Sequence, residues 1–313
     1  MYLQRPRVSR AVAAVLGATA LIVSDLSRFP AQAGIIHRWA FDDASGTAVP
    51  DSVGTAHGTI IDQGTPNDFQ LNATSVRLAG GDKAVADYIQ MPSDILTTTN
   101  LTVEAWATPH QFFNWSRVFS FGSGTGDTAN AFHLAFSRET NPATQRCEFQ
   151  PVGPIDGNLS TLPNVQYHYV VTWQDAAAAP PSGMISWYRD GALVGSIAAA
   201  NQTPQNVNDS VMWLGRSQWG DAGANASWEE FRLYDEAIDQ AQITSNFTNG
   251  PDAPPGVMVL REFSADGDFV QSGTDVQLTW DVWEAESVDI TGVGTGLAAS
   301  GSATVCAAGD DDL

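Results

Sequence analysis

Ile185-Ser186-Trp187-Tyr188-Arg189-Asp190-Gly191-Ala192-Leu193-Val194 is the stretch that decides the fold. Two runs of strand-forming residues flank Asp-Gly, a pair that accepts positive φ at both central positions of a two-residue turn. The segment reads as a β-hairpin. Outward from it the same grammar repeats. In Leu101-Thr102-Val103-Glu104-Ala105-Trp106, the residues Leu101, Val103 and Ala105 share one face. Residues 118–121, 131–136, 167–173, 184–189, 211–214 and 231–234 are further short runs, separated by Gly, Asp, Asn, Ser and Pro. One stretch, 239–247, has helical spacing, with Ile243 and Phe247 four apart, and is expected to cap the strands. Many short strands with almost no helix predict an all-β protein, a two-sheet antiparallel jelly-roll sandwich.

The two ends have a different composition. Arg5, Arg7 and Arg10 precede an apolar run at 11–23, and Ala31-Gln32-Ala33 follows. That order predicts a secretory signal peptide over 1–33; the apolar run is too short to span a bilayer. Gly250-Pro251-Asp252-Ala253-Pro254-Pro255-Gly256 is stiff linker composition, placing a boundary at 251–256. Beyond it, strands are expected at 257–263, 275–282 (Val276, Leu278 and Trp280 on one face) and 287–290. Residues 257–313 are too few for a whole immunoglobulin-like sandwich, so a partial Ig-like β-domain, truncated relative to a longer relative, is expected there.

The chain carries 14 basic and 35 acidic side chains, a formal charge of −21, and Lys83 is its single lysine. Without residues 1–33 the balance becomes 10 against 34. Such a surface repels nucleic acid and anionic lipid, which removes both as partners. Cys147 and Cys306 fall in different predicted domains, so no disulfide between them is expected. His37, His57, His110, His133 and His168 are scattered without the close pairs of zinc sites and read as loop or strand-surface residues. No Gly-x-Ser-x-Gly elbow, His-Glu-x-x-His or phosphate loop occurs.

Aromatic residues on loops are the better ligand candidates, because sugars stack on exposed rings. Trp39, Trp106, Trp173 and Trp187 lie in alternating runs and read as core. Phe112, Phe113 and Trp115 sit among turn residues, as does Trp219 within Gly215-Arg216-Ser217-Gln218-Trp219-Gly220-Asp221. Phe113, Trp115 and Trp219 are the expected ligand-binding residues.

Six segments, taken in order, resemble the laminin-G-like jelly rolls of the concanavalin A-like lectin and glucanase kind. His37-Arg38-Trp39-Ala40-Phe41-Asp42-Asp43 resembles their opening strand. Residues 50–60 resemble the following "D-S-x-G…G" loop, and 87–92 the strand after a Gly-rich turn. Residues 101–106 resemble "T-V-x-x-W", and 171–173 with 188–191 resemble "W…Y-x-D-G". Trp228-Glu229-Glu230-Phe231-Arg232-Leu233-Tyr234 resembles the closing strand. The resemblance covers about residues 34–250 and implies a secreted or surface-associated carbohydrate-binding or adhesion module. Its partner would be a polysaccharide or a glycoprotein glycan, met as a monomer or within a larger surface assembly. Glucan-cleaving relatives carry Glu-x-Asp-x-x-Glu, with paired carboxylates about 5–5.5 Å apart; that spacing is absent, so no catalysis is expected. The alternatives are a structural spacer of a larger surface protein, or a hydrolase with acids at Glu229 and Glu230. The resemblance also implies a structural calcium held by Asp42 or Asp43, Asp51 and Glu229. Period two from Phe231 and Leu233 points Glu229 inward, and oxygen ligands suit that ion.

Overall fold

A computed structural model describes residues 34–64, 69–126 and 130–252, together with 21–22, 259–265, 275–283, 288–290, 293–298 and 300–306. The strands are β1 (Leu21–Ile22), β2 (Ile35–Trp39), β3 (Ala48–Val49), β4 (Gly58–Ile61), β5 (Gln70–Leu71), β6 (Val76–Leu78), β7 (Tyr88–Met91) and β8 (Leu101–Gln111). They continue with β9 (Arg117–Gly122), β10 (Phe132–Ala135), β11 (Gln145–Phe149), β12 (Gly153–Gly157), β13 (Tyr167–Gln174), β14 (Met184–Arg189) and β15 (Ala192–Ala198). Then come β16 (Val211–Leu214), β17 (Asn225–Tyr234), helix α1 (Gln240–Asn249), β18 (Val259–Ala265), β19 (Asp275–Trp283), β20 (Val288–Ile290), β21 (Gly294–Leu297) and β22 (Ser300–Cys306).

The chain divides into two compact units, one over Ala33–Asp252 and one over the two terminal segments. In the larger unit, one eight-stranded sheet runs β12-β11-β10-β9-β16-β7-β4-β3. The other runs β15-β14-β13-β8-β17-β6-β5, with β2 added beside β17. Every strand pair is antiparallel, as the jelly-roll expectation requires. Alternate residues of both sheets fill one core, among them Trp39, Phe119, Phe121, Phe132, Trp173, Trp187, Trp228 and Phe231. The predicted hairpin joins β14 to β15, with Asp190 and Gly191 at φ of 53° and 77°.

Strand β8 is buried on both faces for most of its length. Leu101, Val103 and Ala105 enter the core, while Thr102 and Glu104 face the opposite way, toward the segment carrying α1. That helix is capped by Asp239, which accepts from Gln242 N. Ile243 packs on Val170, Tyr234 and Ile238, as its spacing predicts. Phe247 departs from the expected pair: it is 43% exposed and stacks on His168 at 5.9 Å. Asn246 takes the inward position instead and donates to Glu104.

Glu104 anchors a buried polar network. It accepts from His168 Nε2 at 2.8 Å, Arg232 Nη1 at 3.2 Å, Asn246 Nδ2 at 2.8 Å and the Tyr234 hydroxyl. Glu230 accepts from Arg232 Nε at 2.7 Å and from the Arg38 guanidinium. Burial opposes charge on Glu104, but the His168 hydrogen bond and the Arg232 charge hold its carboxyl at about 2.

In the second unit β18, β19 and β22 form one three-stranded sheet, and β1, β20 and β21 another. Val276, Leu278 and Trp280 are buried, as their alternation predicts. β1 lies inside the expected signal peptide and pairs with β20; residues 1–20 and 23–33 of that leader lie outside the described residues, as does 307–313.

Candidate functional site

The outward face of the first sheet is set by register and by period two. On β11, Cys147 and Phe149 enter the core, which turns Arg146 and Glu148 outward. His133 lies opposite Glu148 on β10 and opposite Ser120 on β9, forming one row across three strands. Trp115, at a positive φ of 54°, leads into Arg117 at the start of β9. The β16–β17 connection brings in Trp219 and Asp221. Together these residues and Gln150 line a cleft of about 360 Å³.

Arg117 organises the cleft. Its guanidinium lies 5.3 Å from the Trp115 ring centre and 5.6 Å from that of Trp219. It donates to Asp221 Oδ2 at 3.2 Å and to the Trp115 carbonyl. Burial lowers its pKa to about 10, so it stays charged at neutral pH. Arg146 sits 5.5 Å from the Trp115 ring and is held by Asp156 through two bonds of 2.7 and 3.0 Å. His133 is 2% exposed and meets Trp219 edge-on at 5.6 Å. Burial, then the charges of Arg117 and Arg146, push its pKa well below the usual histidine value.

The loop carrying Trp219 is held from several sides. Gly215 starts it at φ 78°, where an added Cβ would stand 2.5 Å from Leu78 Cδ1. Gln218 donates to Ser120 O at 3.1 Å, and Ser217 Oγ donates to Asp221 at 2.7 Å while accepting from Trp219 N. Lys83, the single lysine, donates to the carbonyls of Gln218 and Trp219.

Of the expected ligand residues, Trp115 and Trp219 therefore meet in one cleft. Phe113 does not line it; its carbonyl accepts from Ser116 N and Ser137 Oγ. Sequence reading missed Arg117, Arg146 and Glu148, and placed His133 on a surface or loop. His133 and His168 are in fact both buried, because sheet register puts them under a loop and a helix respectively. The alternation of Arg146 and Glu148 with Cys147 and Phe149 was the available signal for β11.

The four residues expected at a calcium site do not fit one. Asp51 is buried, and its carboxylate accepts five hydrogen bonds. Oδ1 takes the backbone N–H groups of Arg38, Val53 and Gly54, and Oδ2 takes Ala56 N and the His37 ring. Its lone pairs are thus committed to donors of its own loop and β2. Gly54 allows this approach, since a Cβ there would stand 2.6 Å from Asp51 Oδ2. Asp42 and Asp43 are exposed. Glu229 is only half-buried and accepts from Gln166. A bulge between Trp228 and Glu230 makes Glu229 the extra residue, so Trp228 rather than Glu229 shares the inward face with Phe231. Among the described residues no three His, Cys, Asp or Glu side chains gather as a metal site.

Asp51→Asn is expected to destabilise the fold by about 2–3 kcal/mol, because it replaces a charged acceptor of several N–H groups. Burial opposes charge on Asp51, yet its backbone donors and His37 hold the carboxyl below the usual range. A depressed carboxylate adds stability above its unfolded pKa of about 3.9, and that stability is lost as pH falls through the lower folded value. Urea melts from pH 7 to 3 should show the gap between wild type and Asn variant closing at the acid end.

This architecture, two eight-stranded antiparallel sheets with a lined cleft on the outer face of one, is that of a lectin-like or glucanase-like jelly roll. The chain belongs to the concanavalin A-like lectin/glucanases superfamily, whose Laminin_G_3 model matches residues 82–244. Among solved structures it is similar to domain 4 of AbnA, an extracellular arabinanase from Geobacillus stearothermophilus in complex with arabinotriose. There the identity is 17%, covering 68% of this chain and 97% of that one, with a TM-score of 0.51. It is also similar to Trypanosoma rangeli sialidase, at 16% identity and a TM-score of 0.50, over 72% of this chain and 35% of the sialidase. The binding domain of Botulinum neurotoxin DC, in complex with rat synaptotagmin II, matches at 12% identity and a TM-score of 0.50, over 69% of this chain and 51% of that one. These likenesses show the fold, and the chain spans about a third of the sialidase and half of the toxin domain. No curated protein matches the sequence. No described helix is long and apolar enough to cross a membrane.

Proposed function

We propose that the Ala33–Asp252 unit is a secreted, non-catalytic carbohydrate-binding module whose cleft holds a polysaccharide or a glycoprotein glycan. One observation carries the reading: two half-buried indoles from distant parts of the chain converge with hydrogen-bonding side chains around one cleft. Indole edges and faces suit the C–H surfaces of sugars, while the polar groups between them suit hydroxyls. The cleft carboxylates support binding over hydrolysis, because each is met by an arginine: Asp221 by Arg117 at 3.2 Å and Glu148 by Arg146 at 3.5 Å. Neither Glu229 nor Glu230 lines the cleft. Secretion rests on the pattern of residues 1–33.

A glycan array probed with the full chain, with and without chelator, tests this. Trp115→Ala and Trp219→Ala are each expected to weaken the retained glycan about five- to tenfold, the scale of one lost ring contact. A blank array from folded protein would favour the structural-spacer reading, and release of reducing sugar would favour the hydrolase.

A further inference from the structure

Resting on the carbohydrate reading above, we infer that Lys83 and Arg216 form a second subsite beside the cleft, which takes one carboxylate or sulfate group carried by the glycan. The charges of the chain point there. Arg38, Arg117, Arg138, Arg146, Arg189 and Arg232 each have a carboxylate at ion-pair distance. Among the described residues Arg77, Lys83 and Arg216 have none, in a chain with 35 acidic side chains. Arg77 lies on β6, in the other sheet. Lys83 and Arg216 are neighbours, with Arg216 Nη1 donating to the Lys83 carbonyl at 2.9 Å.

Their setting decides which atoms meet a ligand. On β7 and β16, Ile89 and Leu214 enter the core, which turns Tyr88 and Trp213 to the sheet face that carries the cleft. The Arg216 guanidinium stands over both rings, at 4.5 and 5.3 Å, and Lys83 Nζ is 5.8 Å from the Trp213 ring centre. Nη1 of Arg216 is spent on Gln63 Oε1 and the Lys83 carbonyl, and Nε is sealed. Nη2 donates to no described residue and is open to solvent, so it is the donor an oxyanion meets. Lys83 adds the second charge. Through its bonds to the carbonyls of Gln218 and Trp219 it joins this subsite to the cleft indole.

Two adjacent cations repel each other. Burial, then the Arg216 charge, lowers the Lys83 pKa, and burial lowers that of Arg216. The aromatic floor offsets part of this cost, and an oxyanion shared by the pair offsets more. Trp213 pairs with Ser120, and Ser120 with His133, so the subsite floor lies two strands, roughly 10 Å, from a residue lining the cleft. Linked sugar rings can bridge that span. The chain's charge of −21 repels polyanions at long range, so the group taken is an isolated one on an otherwise neutral glycan.

Calorimetric titration of the full chain tests this with matched sets: neutral gluco- and galacto-oligosaccharides, each against the same chain bearing one uronate or one sulfate. Each set is run at about 50 and 500 mM salt. A singly charged member is expected to bind about tenfold tighter than the neutral one at low salt, and the advantage to shrink at high salt. Preference for the uronate assigns the subsite to carboxylate, and preference for the sulfated member assigns it to sulfate. Arg216→Met is expected to bring the members of a set within about twofold of one another. Arg216→Lys, which keeps the charge and loses the fork, is expected to retain part of the preference. Equal affinity for neutral and charged members in the wild type would overturn the subsite and leave carbohydrate binding standing. An equal loss for every member in Arg216→Met, with the preference intact, would also overturn it and leave Arg216 a loop-holding role. Sodium sulfate alone binding as tightly as the sulfated sugar would show a site for a free ion and overturn the glycan subsite. Failure of the folded protein to bind any member of either set would overturn both readings.

Discussion

Arg232→Met is expected to cost about 3–5 kcal/mol of stability, the largest loss for any single substitution proposed for this protein. That corresponds to a melting temperature lower by roughly 10 °C for a unit of this size. Arg232 is fully buried between two buried carboxylates, Glu104 and Glu230. Removing the guanidinium leaves Glu104 with neutral donors and the His168 ring, and leaves Glu230 with Arg38 alone. Deleting Glu104 as well, in Glu104→Leu with Arg232→Met, should recover part of the loss, because the buried carboxylate left without its guanidinium is then gone, while Glu230 keeps Arg38. Denaturant melts of the single and double variants measure this. A single-variant loss under about 1 kcal/mol would mean that solvent already screens these carboxylates. Glu104 also sets an acid dependence. Its carboxyl is depressed to about 2, so its stabilisation is present above the unfolded value near 4.3 and is lost as pH falls toward about 2.

Arg117→Met is expected to weaken glycan binding roughly 30- to 150-fold, or about 2–3 kcal/mol. It removes the cation that stands beside both indoles and the donor to Asp221. It also removes one of the charges that hold His133 neutral, so the variant's His133 pKa should move back up toward the ordinary value. A titration monitored by the His133 ring resonances would show that movement, and affinity measured in parallel would show the loss. Retained affinity would place the ligand away from the Trp115–Trp219 cleft.

Much of the fold was legible before any coordinates. Asp190-Gly191 between two strand runs gave a hairpin because turn chemistry is local to four residues. Leu101, Val103 and Ala105 pointed inward because side chains on a strand alternate. The indoles of Trp115 and Trp219 stood out because they sit among turn residues, where rings are seldom needed for packing. At two positions of the expected calcium set the structure differs from the sequence expectation, each with a physical reason. Asp51 was carried into the set by the resemblance alone, whereas its loop folds N–H groups around it. Glu229 was placed inward by counting in twos, and one bulge residue reverses such a count.

Residue order alone determined the main elements and their turns. These follow from the chain's own periodicity and turn residues, which act over a few positions. The tertiary structure alone decided that Trp115 and Trp219 both stand against Arg117, that His133 is buried edge-on to Trp219, and that Arg232 is closed in between Glu104 and Glu230. Each of these depends on the register between strands far apart in sequence. Register is settled by packing the whole sandwich at once, and no local pattern records it.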